Sequence, residues 1–284
     1  MTPGGRQRKL PKILEVYVKQ PATRNSQKEN IGEMISVCMA TYNGEKYIEE
    51  QVKSILPQLA ENDELIVSDD CSTDRTVEIL ENFNDKRIKI FRHNKNDVKI
   101  PACLSTKSAD KFYLVARNFE NALINAQGDY IFLSDQDDVW VPNKVEKTIP
   151  YLKEDRLVIS DAWIVNSDLE KTDKLSKYRV YKKGFFKNIR RKGGSPHGCV
   201  CAFTKNIKKF ILPIPKNVLT HDYWLGLLAE LKFSSIYIPE PLVLYRRHRT
   251  TISDMEKSCH PFFYTLKYRA FILYESLKRF YLRK

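Results

Sequence analysis

The sequence contains no apolar run long enough to span a membrane and no segment resembling a secretory signal. A membrane-spanning helix needs about 20 consecutive apolar residues, and the longest runs, such as 157–165, are much shorter. Residues 1–33 hold seven Lys or Arg and three Glu without a continuous apolar stretch, which predicts a flexible basic leader. We therefore expect a cytoplasmic protein without a transmembrane helix.

Metal-binding cysteine pairs are also lacking. The six cysteines are scattered along the chain, as expected for reduced thiols in a cytosolic protein. Residues 197–201 contain one His and two Cys, but no second ligand pair lies at zinc-finger spacing, so we do not predict zinc there. A Gly-rich N-terminal loop with Lys or Arg is missing too, which argues against a nucleotidyltransferase.

The net charge of +13 is concentrated in two regions. Residues 171–209 hold 13 Lys or Arg and one acid, and residues 246–284 hold ten Lys or Arg and three acids. Such regions attract phosphates, anionic lipid headgroups or nucleic acid, or they simply form a solvated basic face.

A basic nucleic-acid-binding protein is the alternative from a different class, because Tyr181, Phe185 and Phe186 lie among these charges. No DNA- or RNA-binding module is recognisable, so we predict no nucleic-acid partner.

Strand-like and helix-like segments alternate over residues 34–165. Strands are predicted at 34–40, 63–68, 87–91 and 129–134, with helices at 45–56, after 72 and at 119–126; residues 94–113 have no clean period. This order predicts an α/β fold with a mostly parallel central sheet flanked by helices. Further along, we expect a short strand at 200–204, a helix at 221–232, an extended run at 236–245 and an amphipathic helix over 260–284.

Polar residues follow three of the predicted parallel strands, and ligands bind at this end of such sheets. Tyr42 follows the first strand and could lie on a nucleobase. Asp70 follows the second and could accept hydrogen bonds from a base N–H or ribose hydroxyls. The third ends in the acidic turn, defined as residues 134–138. We expect these groups to share one cleft, although packing or helix capping could also explain Tyr42 and Asp70.

The acidic turn predicts a divalent metal site. Asp135 and Asp137 would repel one another unless they were protonated, solvated or neutralised by a cation. Mg²⁺ or Mn²⁺ takes oxygen ligands and can bridge to a diphosphate, stabilising charge on a departing phosphate. An exposed acidic loop is the simpler alternative.

Two later segments carry further candidates. Asp222, at the start of a predicted helix, is a candidate general base for an inverting single displacement, or only a first-turn helix residue. Residues 245–249 include Arg247, which could hold diphosphate oxygens, and His248, which could bind the metal. A basic surface loop is the alternative there, and Arg117 is a weaker phosphate candidate.

Five segments in this order resemble the family 2 glycosyltransferases, especially bacterial members that build surface polysaccharides: 36–43, 67–74, 128–140, 221–224 and 245–248. The resemblance implies the GT-A fold, Rossmann-like, over 34–250. It divides this domain into a nucleotide-sugar half, 34–140, and an acceptor half, 141–250, with a basic amphipathic helix in 251–284.

The resemblance also implies site residues. Ala40 and Tyr42 match the loop that meets the nucleobase, and Asp70 would contact the base. Asp137 would bind the metal, with Asp135 near the ribose and diphosphate. The family's catalytic base corresponds to Asp222, with His221 and Trp224 on the acceptor side; His221 stands where many members have an acid.

The implied reaction is an inverting, metal-dependent transfer from a UDP-hexose to a lipid-linked glycan in the synthesis of O-antigen, capsule or exopolysaccharide. A dTDP-rhamnose donor is the alternative. The expected acceptor is a polyprenyl-diphosphate-linked glycan on the cytoplasmic face of the inner membrane, because the basic regions and the C-terminal helix suit an anionic membrane surface. The same helix could instead pack on the domain or mediate a dimer.

Overall fold

A single mixed sheet connects both halves of the chain in this computed structural model, which describes residues 33–101, 107–177, 184–190, 196–248 and 262–283. Within those ranges the sheet has nine strands: β1 (Ile35–Thr41), β2 (Glu64–Asp69), β3 (Ile88–Arg92), β4 (Tyr130–Asp135), β5 (Val139–Trp140), β6 (Arg156–Val165), β7 (Lys171–Lys174), β8 (Cys201–Thr204) and β9 (Ser234–Arg246). Their order is β3-β2-β1-β4-β8-β6-β9-β5, and β7 pairs with β6.

The first half of the sheet is parallel. β1 lies between β2 and β4, and β3 lies beyond β2, all in the same direction. Every residue of β2, and all of β1 except the half-buried Ala40, is buried. Continuous burial is typical of parallel strands covered by helices on both faces, so the predicted α/β fold is confirmed.

Eight helices accompany these strands in the described ranges. They are α1 (Ile48–Ile55), α2 (Thr76–Glu81), α3 (Lys107–Asn125), α4 (Lys144–Thr148), α5 (Phe185–Arg190), α6 (Lys205–Ile211), α7 (His221–Lys232) and α8 (Phe262–Leu282). Helix α3 begins well before the predicted 119–126. Its buried side includes alanines and the polar Asn118. These residues interrupt the regular spacing of large apolar side chains from which a helix is predicted, so the start of α3 was not predicted.

The second half of the sheet mixes directions. β8 is antiparallel to both β4 and β6, whereas β6 and β9 are parallel. β5 is antiparallel to β9, with Val139 opposite Leu244 and Trp140 opposite Val243. This pairing lays the end of β9 beside the acidic turn, about a hundred residues away in the sequence.

Helix α8 packs on the domain along one side. Ile272 and Ser276 are buried, and the Arg279 guanidinium donates to the backbone carbonyls of Phe210, at 3.1 Å, and Leu212, at 2.6 Å. Among the described residues, no helix is both long and apolar enough to cross a membrane. The predicted leader, except its last residue, and parts of the basic segment 171–209 lie outside the described residues.

Candidate active site

The polar ends of β2, β1 and β4 lie side by side. Ala40 of β1 is in register with Ser68 on one side and with Asp135 on the other. The loop after β1, the loop after β2 and the acidic turn therefore meet at one edge of the sheet, as the sequence predicts. Ala40 is half-buried between them.

The β1 and β2 ends form the side of the cleft suited to a nucleoside. Asp70 is almost fully buried, and its carboxylate lies 2.9 Å from Nδ1 of His93, which follows β3. The Tyr42 ring is 43% exposed, and the Lys95 ammonium lies 3.3 Å from its centroid. An exposed ring beside a carboxylate offers both a stacking surface and a hydrogen-bond acceptor.

The predicted metal ligands Asp137 and His248 are neighbours in the structure. Nε2 of His248 lies 2.8 Å from the Asp137 carboxylate. A carboxylate oxygen and an imidazole nitrogen suit Mn²⁺, and the carboxylate also suits Mg²⁺. The donor set present at the turn therefore fits the predicted cation, although 111 residues separate its two members.

Asp135 is half-buried at the end of β4. Burial, then the charges of Asp137 and Asp222, raise its pKa to about 7. The charge of Asp222 contributes to this shift, so the candidate base interacts electrostatically with the acidic turn. At neutral pH this cleft therefore gathers negative charge, which a divalent cation would offset.

Asp138 is fully buried and lies behind the cleft. One carboxylate oxygen accepts from the Arg246 amide at 3.0 Å, and the carboxyl also interacts with the Cys199 thiol. Asp135, Asp138 and Cys199 can bring one ligand atom each within 4.8 Å of one another. Burial raises the pKa of the Cys199 thiol and of the Asp138 carboxyl well above their usual values. Both groups therefore favour the neutral form, and we interpret Asp138 as structural.

Arg246 organises the acidic turn from the end of β9. Its buried guanidinium donates to the Asp137 carbonyl at 2.8 Å and to the Ser167 carbonyl at 2.8 Å, and it pairs with the Glu50 carboxylate at 2.5 Å. These hydrogen bonds connect the acidic turn to α1, through Glu50, and to the loop after β6, through Ser167. Arg246 lies in a segment that the sequence singles out for phosphate binding, but here its guanidinium binds the backbone of the acidic turn.

Arg117 and Arg247, the two predicted phosphate ligands, have backbone partners here. The Arg117 guanidinium pairs with Glu120 at 2.8 Å and donates to the Ile214 carbonyl at 2.9 Å. It therefore holds the loop that leads into α7, and the structure does not place it as a free phosphate ligand. The Arg247 amide donates to the Val165 carbonyl at 2.8 Å, and its half-buried side chain lies next to His248 in the chain.

Helix α7 corrects two predictions for the acceptor side. Asp222 is half-buried in its first turn, and its charge acts on Asp135. Trp224 is completely buried, and its indole N–H donates to the Ile211 carbonyl at 2.9 Å, so it cannot touch an acceptor. His221 is also buried, stacked on Phe119 with centroids 4.1 Å apart. Both rings serve to seat the helix that carries Asp222.

Three residues that contact the candidate site were not predicted from the sequence as site residues. The Gln51 amide donates to the Ser134 hydroxyl at 2.7 Å, Gln136 bonds the backbone of Tyr42, and His93 pairs with Asp70. The strand-end argument applied to β3 would have found His93, because β3 ends at the same edge. A polar residue facing inward from a helix, such as Gln51, leaves no comparable signal in the sequence.

The family model described as Glycosyl transferase family 2 matches residues 36–105 and 112–211. The dTDP-rhamnosyl transferase RfbG of Shigella flexneri is 30% identical over 74% of this chain and 71% of its own length. The UDP-Glc:alpha-D-GlcNAc-diphosphoundecaprenol beta-1,3-glucosyltransferase WfgD of Escherichia coli is 28% identical over 78% of this chain and 80% of its own length.

Among solved structures, S. aureus TarS 1-349 in complex with UDP-GlcNAc superposes with a TM-score of 0.56 at 18% identity, over 88% of this chain and 73% of that one. In another crystal structure of TarS 1-349 the match covers 72% of this chain and 60% of that chain, with a TM-score of 0.50. The likeness shows a shared GT-A fold.

We predict that Arg246→Met destabilises the protein and weakens its hold on Mn²⁺. The substitution leaves Glu50 without its partner and the Asp137 carbonyl without a donor. We expect the free energy of unfolding to fall by about 3 kcal/mol and Mn²⁺ affinity to fall about tenfold, measured by urea denaturation and by titration calorimetry. Arg92→Met, at an exposed site, is the matched control. Unchanged stability in Arg246→Met would contradict the role given to this residue.

We also predict a pH dependence from Asp135 in metal-free protein. Because its folded pKa of about 7 exceeds the ordinary aspartate value of 3.8, the folded state binds more protons than the unfolded state between these values. Stability contributed by the protonated carboxyl is therefore lost as the pH rises from about 4 to 7.

In EDTA, the melting temperature should fall over this range more steeply for the parent than for Asp135→Asn. Excess Mn²⁺ should remove most of the difference, because a cation favours the ionised carboxylate. Parallel curves for the two proteins without metal would show that Asp135 titrates normally.

Proposed function

Because this chain belongs to glycosyltransferase family 2, we propose that it transfers a sugar from a nucleotide-diphospho-sugar to a hydroxyl of a lipid-linked glycan, with inversion at the anomeric carbon. One observation supports this most directly. Tyr42 with Asp70 and Asp137 with His248 lie at one sheet edge, and the charge of Asp222 acts on Asp135 beside them. They match the nucleoside, the diphosphate and the acceptor hydroxyl of such a reaction.

The nucleoside end of the donor would occupy the cleft beside Tyr42. The exposed Tyr42 ring would stack on the base, and the Asp70 carboxylate would accept a base N–H while His93 fixes its orientation. Uracil and thymine both carry a donor N–H at N3. The proposed contacts therefore suit a UDP-hexose, and equally the alternative donor dTDP-rhamnose, in line with the two donors named in the relatives RfbG and WfgD.

Asp137 and His248 would hold Mn²⁺ or Mg²⁺, with Asp135 close to the ribose and diphosphate. When bound, such a cation stabilises the negative charge that develops on the departing nucleoside diphosphate. Arg246 fixes the backbone of Asp137 through its carbonyl, so that the ligand does not depend on the cation for its position. Arg247 would add a positive charge beside the diphosphate.

Asp222 would act as the general base. Its carboxylate would take the proton of the acceptor hydroxyl as the hydroxyl oxygen forms a bond to the anomeric carbon. The bond from that carbon to the diphosphate oxygen breaks at the same time, and the nucleoside diphosphate leaves. Seating of α7 through the buried His221 and Trp224 would hold the carboxylate on the face opposite the leaving group.

A lipid-linked acceptor is proposed from the relatives and from charge. The name of WfgD specifies an acceptor linked to diphosphoundecaprenol, and a related function here would place the enzyme in the synthesis of O-antigen, capsule or another surface polysaccharide. Because the chain belongs to a glycosyltransferase family, we do not propose the nucleic-acid-binding alternative. The Lys and Arg excess over 171–209 instead suits a diphosphate lipid.

The proposal is tested with purified protein, a panel of UDP- and dTDP-sugars, Mn²⁺ and synthetic lipid-diphosphate glycans, with products read by mass spectrometry. One donor should give a glycosylated product, EDTA should abolish it, and Asp137→Ala and Asp222→Asn should each lower kcat at least about a hundredfold. Asp222→Asn should keep parental UDP affinity, whereas Asp137→Ala should lose it. Activity close to the parent in both variants would refute this mechanism.

Helix α8 supports contact with an anionic membrane. Its outward side carries Leu266, 54% exposed, and Tyr274, 60% exposed, with the exposed Lys267 and Lys278 beside them. Aromatic and aliphatic side chains flanked by lysines are typical of helices that lie at a lipid interface. We propose that this side rests on the cytoplasmic face of the inner membrane, where a polyprenyl-linked acceptor would be presented.

Replacing Leu266 and Tyr274 together by Ser should weaken binding to vesicles that contain phosphatidylglycerol by roughly fivefold or more, because the apolar contacts are lost. Binding of the parent should also decline with salt and be absent on neutral phosphatidylcholine. Cosedimentation provides the measurement. Ile124→Ser removes an equally exposed apolar side chain from α3 and should change nothing. Equal sedimentation of the double variant and the parent would exclude this surface.

A further inference from the structure

Gln136 lies between the two acids of the turn and bonds the backbone of Tyr42 in both directions. The Tyr42 amide donates to the Gln136 side-chain oxygen at 2.9 Å, and the Gln136 side-chain nitrogen donates to the Tyr42 carbonyl at 3.0 Å. Ala40 and Asp135 are in register just before these residues. The side-chain amide thus continues the pairing of β1 with β4 past the ends of both strands.

The neighbouring glycine leaves room for this pairing. A Cβ atom built on Gly44 would lie 2.3 Å from the Gln136 side-chain oxygen and 2.7 Å from its amide carbon. Any other residue at position 44 would therefore displace the amide. The hydrogen bonds between Gln136 and Tyr42 therefore depend on two positions of the chain: Gln136 makes them, and Gly44 leaves the space for its side chain.

Among uncharged and acidic side chains of this length, only Gln serves both bonds. Glu has the same shape but cannot donate to the Tyr42 carbonyl when ionised, and Asn is one methylene shorter. The other side of the loop is held from α2, since the Gly44 amide donates to the Thr76 hydroxyl at 2.7 Å. Gln136 is the contact that connects the loop to the acidic turn.

We infer that Gln136 is a positioning residue that fixes the distance between the nucleoside end and the metal end of the donor site. This inference rests on the proposed function, which places the base at Tyr42 and the metal at Asp137. Arg246 donates to the Asp137 carbonyl, and His248 contacts the Asp137 carboxylate. Because Gln136 directly precedes Asp137, its hydrogen bonds with Tyr42 hold the Tyr42 loop in position relative to the proposed metal site. Without this contact, the Tyr42 loop keeps its hydrogen bonds with residues 72–76 but loses those to the acidic turn.

The experiment compares the parent with Gln136→Ala and Gln136→Glu in nucleotide binding. Dissociation constants of UDP and dTDP are measured by calorimetry with Mn²⁺ and with EDTA, together with melting temperatures. With Mn²⁺, both variants should bind the preferred nucleotide roughly tenfold more weakly, since two hydrogen bonds are lost or one becomes a repulsion. KM for the donor should rise by a similar factor, and kcat should change by less than about threefold.

Gln127→Ala is the matched control, because Gln127 is exposed at the opposite end of β4, and it should bind like the parent. Amide exchange of Tyr42, measured without any nucleotide, should be at least about tenfold faster in Gln136→Ala than in the parent. This readout does not depend on the proposed function.

Parental affinity in Gln136→Ala, or unchanged exchange at Tyr42, would overturn the inference while leaving the proposed function intact. A loss of affinity confined to a variant whose melting temperature has collapsed would also overturn it, as a sign of misfolding. If the parent itself binds neither nucleotide with Mn²⁺, the proposed function fails, and this inference fails with it.

Discussion

The mutual repulsion of carboxylates at the end of β4 is the constraint on which the rest of the site depends. Asp135, Asp137 and Asp138 occupy three of four consecutive positions of the chain, and the charge of Asp222 raises the pKa of Asp135 further. Such a concentration of charge opposes folding unless it is offset. Burial raises the pKa of Asp138 and so favours its neutral form, His248 contacts the Asp137 carboxylate, and the Arg246 guanidinium binds the Asp137 carbonyl. These three features offset part of the charge.

Helix α1 and the short 3-10 turn that follows it, Leu56–Gln58, supply the polar support for this turn. Gln51 donates to Ser134, the Ser54 hydroxyl accepts from the Trp140 amide at 2.9 Å, and Gln58 accepts from the Val145 amide at 3.2 Å. Spacings of three and four residues place these side chains along one side of the helix. Their buried hydrogen bonds satisfy the irregular backbone that follows β4, which would otherwise be costly to bury. The acidic turn is consequently shaped before any cation or substrate arrives.

The two halves of the sheet divide the chemistry between them. The parallel half ends in Tyr42, Asp70 and the acidic turn, which are suited to a nucleotide-sugar. The mixed half contributes Asp222 from α7 and residues 246–248 from the end of β9. β8, inserted between β4 and β6, and the pairing of β5 with β9 join the halves. Because of this arrangement, the candidate base acts through its charge on the turn that carries a candidate metal ligand, although the two belong to distant segments.

Local pattern was sufficient for the parallel half of the fold and for the prediction that the polar strand ends lie side by side. Alternating strands and helices over 34–165 predict the sheet, and polar strand ends predict Tyr42, Asp70, Asp135 and Asp137, because strand direction alone brings such ends together. The sequence could not show the start of α3 or the antiparallel pairings, since these depend on partners chosen across the whole sheet.

Tertiary structure alone decided what each basic and aromatic candidate does. Arg246 supports the turn, Arg117 holds the loop before α7, and Trp224 fills the core. Residue type and neighbours in the sequence are the same whether a long side chain points outward to a phosphate or inward to a carbonyl. The outcome is set by which buried backbone groups lack partners, and only the assembled fold determines that.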